Sequence, residues 1–303
     1  MSETQLERQP LGETYGGQAL IEGILMRGKH NAAIAVRRQD GEIVVKQEPL
    51  SGLYSGPISK IPFLRGMPLL WDSLGLGMRA LFFSAEVVGK EEDPDFTMSG
   101  ATGVITGALS LVLGIGLFMV LPSFIAGLII KEQAFLFNVV EGAVRLILLI
   151  GYIAAVARAE EIRRVFAYHG AEHKTINAHE AGDPLTVEAV RKHSRQHARC
   201  GTAFLLTVVM ISVLVLAPLG KPALLVRIAS RLLLLPVIAG ISYEILRFTA
   251  KHKDNRIIRL LIAPNLALQK LTTREPDDSM IEVAITALEA VLRGEQEATP
   301  ATS

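Results

Sequence analysis

Apolar residues gather into four long runs, and these predict the architecture. The first spans about Ala101 to Ile130 and the second about Phe135 to Ala157, separated by Lys131, Glu132 and Gln133. The third spans about Ala203 to Leu219 and the fourth about Ala223 to Phe248, with Gly220, Lys221 and Pro222 as the turn. A helix crossing lipid needs about 20 mostly apolar residues, because each backbone amide must find its partner inside the helix. Two hairpins of transmembrane helices follow, rather than a soluble core. Elsewhere the pattern changes period. From Ala33 to Leu50 apolar and polar positions alternate around Gln39, Asp40 and Gly41, which predicts a β-hairpin. Between Gly66 and Val88 the charges Asp72, Arg79 and Glu86 recur every seven residues, as on one stripe of an interfacial helix rather than a fifth span. Asp277 and Asp278 can cap a helix reaching about Leu292, whose stripe of Ile281, Ile285, Leu288 and Leu292 needs a surface to dock on.

The expected fold is therefore a mainly α-helical integral membrane protein. A β-rich cytoplasmic module (1–65) comes first, then an interfacial helix and acidic linker (66–99). Transmembrane hairpins at 100–157 and 203–248 flank a cytoplasmic, histidine-rich helical hairpin (158–202). A cytoplasmic helix and polar tail (249–303) close the chain. Composition agrees: half of the 303 residues are hydrophobic but only 6% are aromatic, so aliphatic side chains carry the excess. Met1 to Pro10 lack the apolar core of a secretory signal, which leaves insertion to internal segments. Lys and Arg crowd the central segment (Arg158, Arg163, Arg164, Lys174, Arg191, Lys192, Arg195, Arg199) and follow the last span, so both termini and the central segment are expected on the cytoplasmic side of the plasma membrane. A formal net charge of +1 argues against nucleic acid as a partner. The bilayer itself is the expected partner, and a homo-oligomer is compatible with the sequence. Inside the spans, Glu141 and Arg145 stand four apart at a depth near that of Arg227 and Arg231, and charges in lipid are costly unless paired. An ion network between helices is expected there.

Five of the seven histidines lie between His169 and His197. His169, Glu172 and His173 have the H-x-x-E-H spacing of inverted zinc peptidases, and on a helix all three share one face. After Gly182-Asp183-Pro184 a second helix starting near Thr186 is expected to carry His193 and His197, with Cys200 one turn on. Folded back antiparallel, the two arms bring His173 beside Ser194 and His169 beside Ala198, offering more donors than a tetrahedral ion requires. Glu180 lies about 10 Å along the helix from His173, which suits an outer partner or a substrate contact rather than a ligand.

His-Gly-Ala-Glu-His-Lys-Thr-Ile (His169 to Ile176), Glu180 and His197 to Thr202 resemble the YqhQ-like bacterial membrane proteins, a family of unknown function. The opening Gly16 to Gly28 and the closing Leu271 to Asp278 resemble its other conserved stretches. The resemblance implies predicted metal-dependent enzymes, and a pattern that includes His169, Glu172, His173, Lys174, Glu180, His197 and Cys200 while placing aromatic residues at 179 and 193. Ala198 stands where that pattern has proline. The expected ligands of a divalent metal, zinc first, become His169, His173 and His197, with Cys200 the fourth or nearby. A membrane-embedded hydrolase would use Glu172 as general base and Lys174 or Arg199 to stabilise developing negative charge, acting on a lipid or membrane-anchored peptide. Glu22, Glu244, Arg274, Glu275 and Asp277 are candidates to line its pocket. The competing expectations are a non-enzymatic assembly factor held by a structural metal or polar network, and a Cys200 nucleophile activated by His197.

Overall fold

The computed structural model describes residues 15–50, 61–63, 65–97, 101–220, 222–252 and 255–298. Met1 to Pro10, Lys221 and the end of the polar tail, for which expectations were stated, lie outside the described residues. The chain is mainly helical, with one antiparallel sheet of four strands in the order β1-β2-β3-β4: β1 (Gly16–Leu20), β2 (Gly23–Arg27), β3 (Asn31–Arg37) and β4 (Ile43–Pro49). The predicted hairpin is β3-β4, paired from Asn31 opposite Pro49 to Arg37 opposite Ile43. The helices are α1 (Gly66–Glu92), α2 (Ala101–Ile115), α3 (Leu121–Ile129), α4 (Ala134–Val156), α5 (Glu160–Ala181), α6 (Val187–Arg191), α7 (Gly201–Leu216), α8 (Leu224–Lys251), α9 (Arg256–Thr272) and α10 (Asp278–Ala298). A π-helical stretch, Gly116–Val120, joins α2 to α3.

The chain divides into two compact units. The first gathers Met1–Ser51, Arg164–His197 and Thr273–Ser303, and so takes in the sheet, most of α5, α6 and α10. Helix α10 starts where Asp277 accepts the Met280 amide, and Ile281, Ile285, Leu288 and Leu292 are buried. Its partner is the sheet: Ile24, Met26, Ala33 and Ala35 share one core with α10 and with Tyr168, Ala171 and Ile176 of α5. Glu295, 1% exposed, fixes the helix end by accepting the His30 amide at 2.7 Å, the Asn31 amide at 3.1 Å and Asn31 Nδ2 at 3.3 Å. Such a carboxylate is tolerated in a core because charge-assisted hydrogen bonds replace its water.

Among its described residues the second unit, Gly52–Arg163 and Ala198–Thr272, holds four helical segments long and apolar enough to cross a membrane: Thr102–Ile129, Ala134–Val156, Gly201–Leu219 and Leu225–Lys251. They match the predicted runs within a few residues. Helix α1 is not among them. The expected ion network is present. Glu141, 1% exposed, bonds Arg145 at 2.6 Å on its own helix and Arg231 on α8. Arg145 also donates to the Phe118 carbonyl and to Ser212 Oγ, so every helix of the four joins through polar side chains. Arg227 does not join the carboxylate; it donates to Ser123 Oγ and the Pro222 carbonyl and lies 4.5 Å over the Phe137 ring. Helix α9 was not foreseen; it carries exposed Ile257, Leu260 and Leu261 alongside Arg256 and Arg259.

Glu295→Ala leaves the His30 and Asn31 amides of the first unit without their acceptor, which costs about 2–4 kcal/mol for two or more buried donors. Chemical denaturation of the purified protein, compared with Glu295→Gln, checks this: Gln retains an acceptor oxygen and recovers part of the loss.

Candidate metal centre

Helix α5 supplies the histidine pair. His169, Glu172 and His173 face one side of it, with Glu172 5% and His173 1% exposed and His169 half-buried. A ligand nitrogen of His169 and one of His173 lie within 4.8 Å of each other, and the ring centroids are 4.3 Å apart. Gly170 between them has a packing reason: a Cβ there would stand 2.1 Å from the Arg274 carbonyl oxygen, and Arg274 in turn donates its amide to Phe166. The stretch after Thr272 thus lies directly on α5. Gly17 of β1 approaches from another side, its amide donating to the Glu172 carboxylate, and a Cβ at Gly17 would be 3.0 Å from Glu172 Cγ.

The second arm corrects the sequence reading. Thr186 does cap a helix, accepting from Ala189, but α6 ends at Arg191, and His193 and His197 stand on irregular chain rather than on a helix. The reason is visible on α5. Lys174 Nζ donates to the Arg191 and His193 carbonyls at 2.8 and 2.9 Å, Asn177 Nδ2 to the Ser194 and Gln196 carbonyls at 2.7 and 3.1 Å, and His173 Nδ1 to the Arg195 carbonyl at 2.7 Å. Side chains of α5 supply the partners that helical amides would have provided. The predicted register holds near His173, which meets Arg195 where Ser194 was expected, and fails at His197, which meets Glu180.

These bonds set the imidazoles. A carbonyl only accepts, so His173 Nδ1 carries the proton and Nε2 the lone pair in the neutral ring. His197, 7% exposed, places Nε2 3.1 Å from Glu180 Oε1, which leaves Nδ1 as the basic nitrogen of its neutral form. Its ring centroid is 5.8 Å from that of His173. Two imidazoles on one tetrahedral ion, with metal–nitrogen bonds of about 2 Å, have centroids about 5 Å apart. The observed 4.3 and 5.8 Å bracket that spacing, and a ring nitrogen oriented by a carbonyl or carboxylate is how ligating histidines are held. Within the first unit, His169 and His173 are spaced closely enough to share an ion.

The other named residues have other company. Lys174, expected to stabilise negative charge, directs its three ammonium protons to two carbonyls and to Glu275 Oε1 at 2.7 Å. Glu22, at the β1-β2 turn with φ +50°, accepts two bonds of 2.6 Å from Arg164 and one from the Tyr168 hydroxyl. Asp277 caps α10, and Asp278 pairs with Arg191. His179, edge-on to Tyr15, is held below its ordinary pKa by burial, which Glu180 opposes, and His193 pairs with Asp183. Arg199, Cys200 and Glu244 belong to the second unit. There Arg199 is exposed, Cys200 caps α7, and Glu244 accepts two bonds from Arg65, at 2.7 and 2.6 Å, and a third from the Phe63 amide. The roles of Asn177 and Arg65 went unread. Asn177 sits one turn beyond His173 on α5, which a scan for polar residues at helical spacing would have found; Arg65 is 179 residues from Glu244 and gives no such signal.

Residues 61–294 match the family described as "Protein of unknown function (DUF1385)". A protein of Bacillus subtilis (strain 168) bearing the name "Uncharacterized protein YqhQ" is 37% identical over 308 residues, which cover 95% of this chain and 95% of that one. No solved structure matches the chain.

Burial raises the Glu172 carboxyl to about 7, against the opposing effects of His169 and the Gly17 amide. A pKa raised on folding gives stability that is complete below the unfolded value near 4.5 and is lost as pH climbs through about 7. Metal-stripped protein should accordingly melt lower at pH 8 than at pH 5, by an amount corresponding to roughly 3 kcal/mol. In Glu172→Gln this component of the pH slope disappears, and thermal melts of the two proteins at both pH values check it.

Proposed function

The chain belongs to the DUF1385 family of proteins of unknown function, and from that premise we propose that it is a multi-pass plasma-membrane protein whose first unit binds a divalent metal, zinc first, for hydrolysis. Support for the membrane part comes from the four long apolar helices, and support for cytoplasmic termini from basic residues concentrated in the central segment and after the last span. One observation carries the metal-site reading: His169 and His173 bring ligand nitrogens within 4.8 Å of each other, on the helix face that also presents Glu172. His169 and His173 would hold the ion with His197 as third imidazole. When bound, the ion supplies Lewis acidity toward water and a scissile group. Glu172 takes a proton from water and returns it to the leaving group. Glu180 orients His197, and the Arg195 carbonyl orients His173. The substrate class is a lipid head group or membrane-anchored peptide.

A second reading, a non-enzymatic assembly factor with a structural metal, is favoured by the 5% exposure of Glu172 and by the full engagement of Lys174. Elemental analysis and p-nitrophenyl ester hydrolysis on the detergent-purified protein separate the two. Hydrolysis predicts about one ion per chain, at least tenfold loss of metal in His169→Ala and His173→Ala, and Glu172→Gln that keeps the metal but loses at least a hundredfold in rate. A structural site predicts metal-dependent melting without hydrolysis in any variant. Protein that takes up no zinc on dialysis overturns both.

A further inference from the structure

Within the second unit, a cavity of about 590 Å³ lies beside the π-helical stretch and is lined by Gly116, Val120, Ser123, Phe124, Leu128 and Arg227 among others. Its walls are apolar except for the Ser123 hydroxyl and the Arg227 guanidinium, which meet at 2.7 Å. Phe124 and Leu128 are 61% and 60% exposed, so the cavity opens on the flank of the helices. Helical rise of about 1.5 Å per residue puts Arg227 only about 3 Å from the start of its span, and Ser123 about 9 Å from the end of its own. The polar pair thus lies within two turns of the end of the spans where both hairpins turn, and the lining reaches inward to Gly116, about 20 Å from that end. Charge there is unbalanced. Arg145 and Arg231 share the single carboxylate of Glu141, and Arg227 bonds only neutral oxygens, so three guanidinium groups face one acid and leave an excess of two positive charges. Arg227 directs three of its five N–H groups to Ser123 and Pro222.

We infer that this cavity is a binding site for an anionic phospholipid, with the phosphate on Arg227 and Ser123 and an acyl chain along Val120, Phe124 and Leu128. The inference rests on the reading of the four helices as membrane spans. Positive charge in a low-dielectric bundle requires a counter-charge, and a guanidinium fork matches a phosphate better than any other anion available in lipid. The volume falls in the range of ligand pockets, about 300–1,000 Å³. A soluble anion satisfies the charge but leaves the apolar walls uncovered, whereas a lipid covers both. Gly116 shapes the chamber: a Cβ there meets nothing within 4 Å, so a larger side chain would project into open space.

The test uses the full chain, purified in detergent and probed by native mass spectrometry and thermal melting with added phosphatidylglycerol, phosphatidylcholine or glycerol phosphate. Phosphatidylglycerol is expected to stay bound and raise the melting temperature. Arg227→Gln should weaken it at least tenfold, and Gly116→Leu, which keeps the guanidinium and fills the chamber, should do so as well. Equal protection by phosphatidylcholine overturns the anionic head group, equal protection by glycerol phosphate overturns the lipid, and undiminished binding in both variants overturns the site. Carbonate extraction of cell membranes addresses the membrane reading separately: protein released from the pellet refutes the spans themselves, whereas retained protein that binds no phosphatidylglycerol refutes this proposal alone.

Discussion

Five backbone carbonyls between Arg191 and Gln196 have no helical partner, and three side chains of one helix receive them all. A buried carbonyl left without a donor costs about 1–3 kcal/mol, so His173, Lys174 and Asn177 decide whether this return stretch keeps its course. Its course decides the rest of the centre. His173 is locked into one tautomer by Arg195, Lys174 is anchored beside Glu275, and the chain delivers His197 to Glu180 instead of carrying it along a second helix. An ammonium group can direct its three protons to separated acceptors, which is why a lysine serves where two carbonyls and a carboxylate converge.

Two distant parts of the chain close around the same helix. Gly17 arrives from the first strand and Arg274 from the start of the final stretch: a Cβ on Gly17 would stand 3.0 Å from Glu172 Cγ, besides 2.5 Å from the Leu25 carbonyl of its own sheet, and one on Gly170 would stand 2.1 Å from the Arg274 carbonyl. Of the two stretches that carry the family resemblance at either end of the sequence, Gly17 and Arg274 thus belong to the neighbourhood of His-Gly-Ala-Glu-His rather than to separate modules. The Gly17 amide partly compensates the burial of Glu172, and the Glu22 turn is pinned to α5 by Arg164 and Tyr168. Sequence separation conceals this, because glycines chosen for close approach carry no hydrophobic period.

What could be read in advance follows from which forces act locally. Long apolar runs declare themselves, so the four helices and their turns were legible, and a charge inside such a run demands a partner, so the Glu141 network was legible too. The β3-β4 hairpin showed through its alternation, whereas β1 and β2, rich in glycine and short, did not. The end of α6 was hidden. Residues 192–197 carry no proline or glycine, and what stops the helix is tertiary: donors on α5 outcompete the chain's own amides. Helix α9 runs straight through Pro264, a residue that reads in sequence as a helix breaker, and the pairing of Glu244 with Arg65 was missed because no local rule links residues so far apart.

Burial bears directly on which chemistry the centre can support. Glu172 and His173 are nearly sealed, while His169 is half-buried, so any substrate must approach over His169. The nearest lysine is committed to the backbone, and charge developing on a substrate would need the ion itself or Arg274, half-buried in the stretch that crosses Gly170. A site with one accessible imidazole and a sealed base favours a small or protruding group, such as a head group or chain end, over an extended polymer that needs a groove. The same sealing suits a purely structural ion, for which a buried carboxylate and two oriented imidazoles exclude water without turning anything over. The two readings therefore differ in a single physical respect: whether water can reach Glu172 from the side of His169.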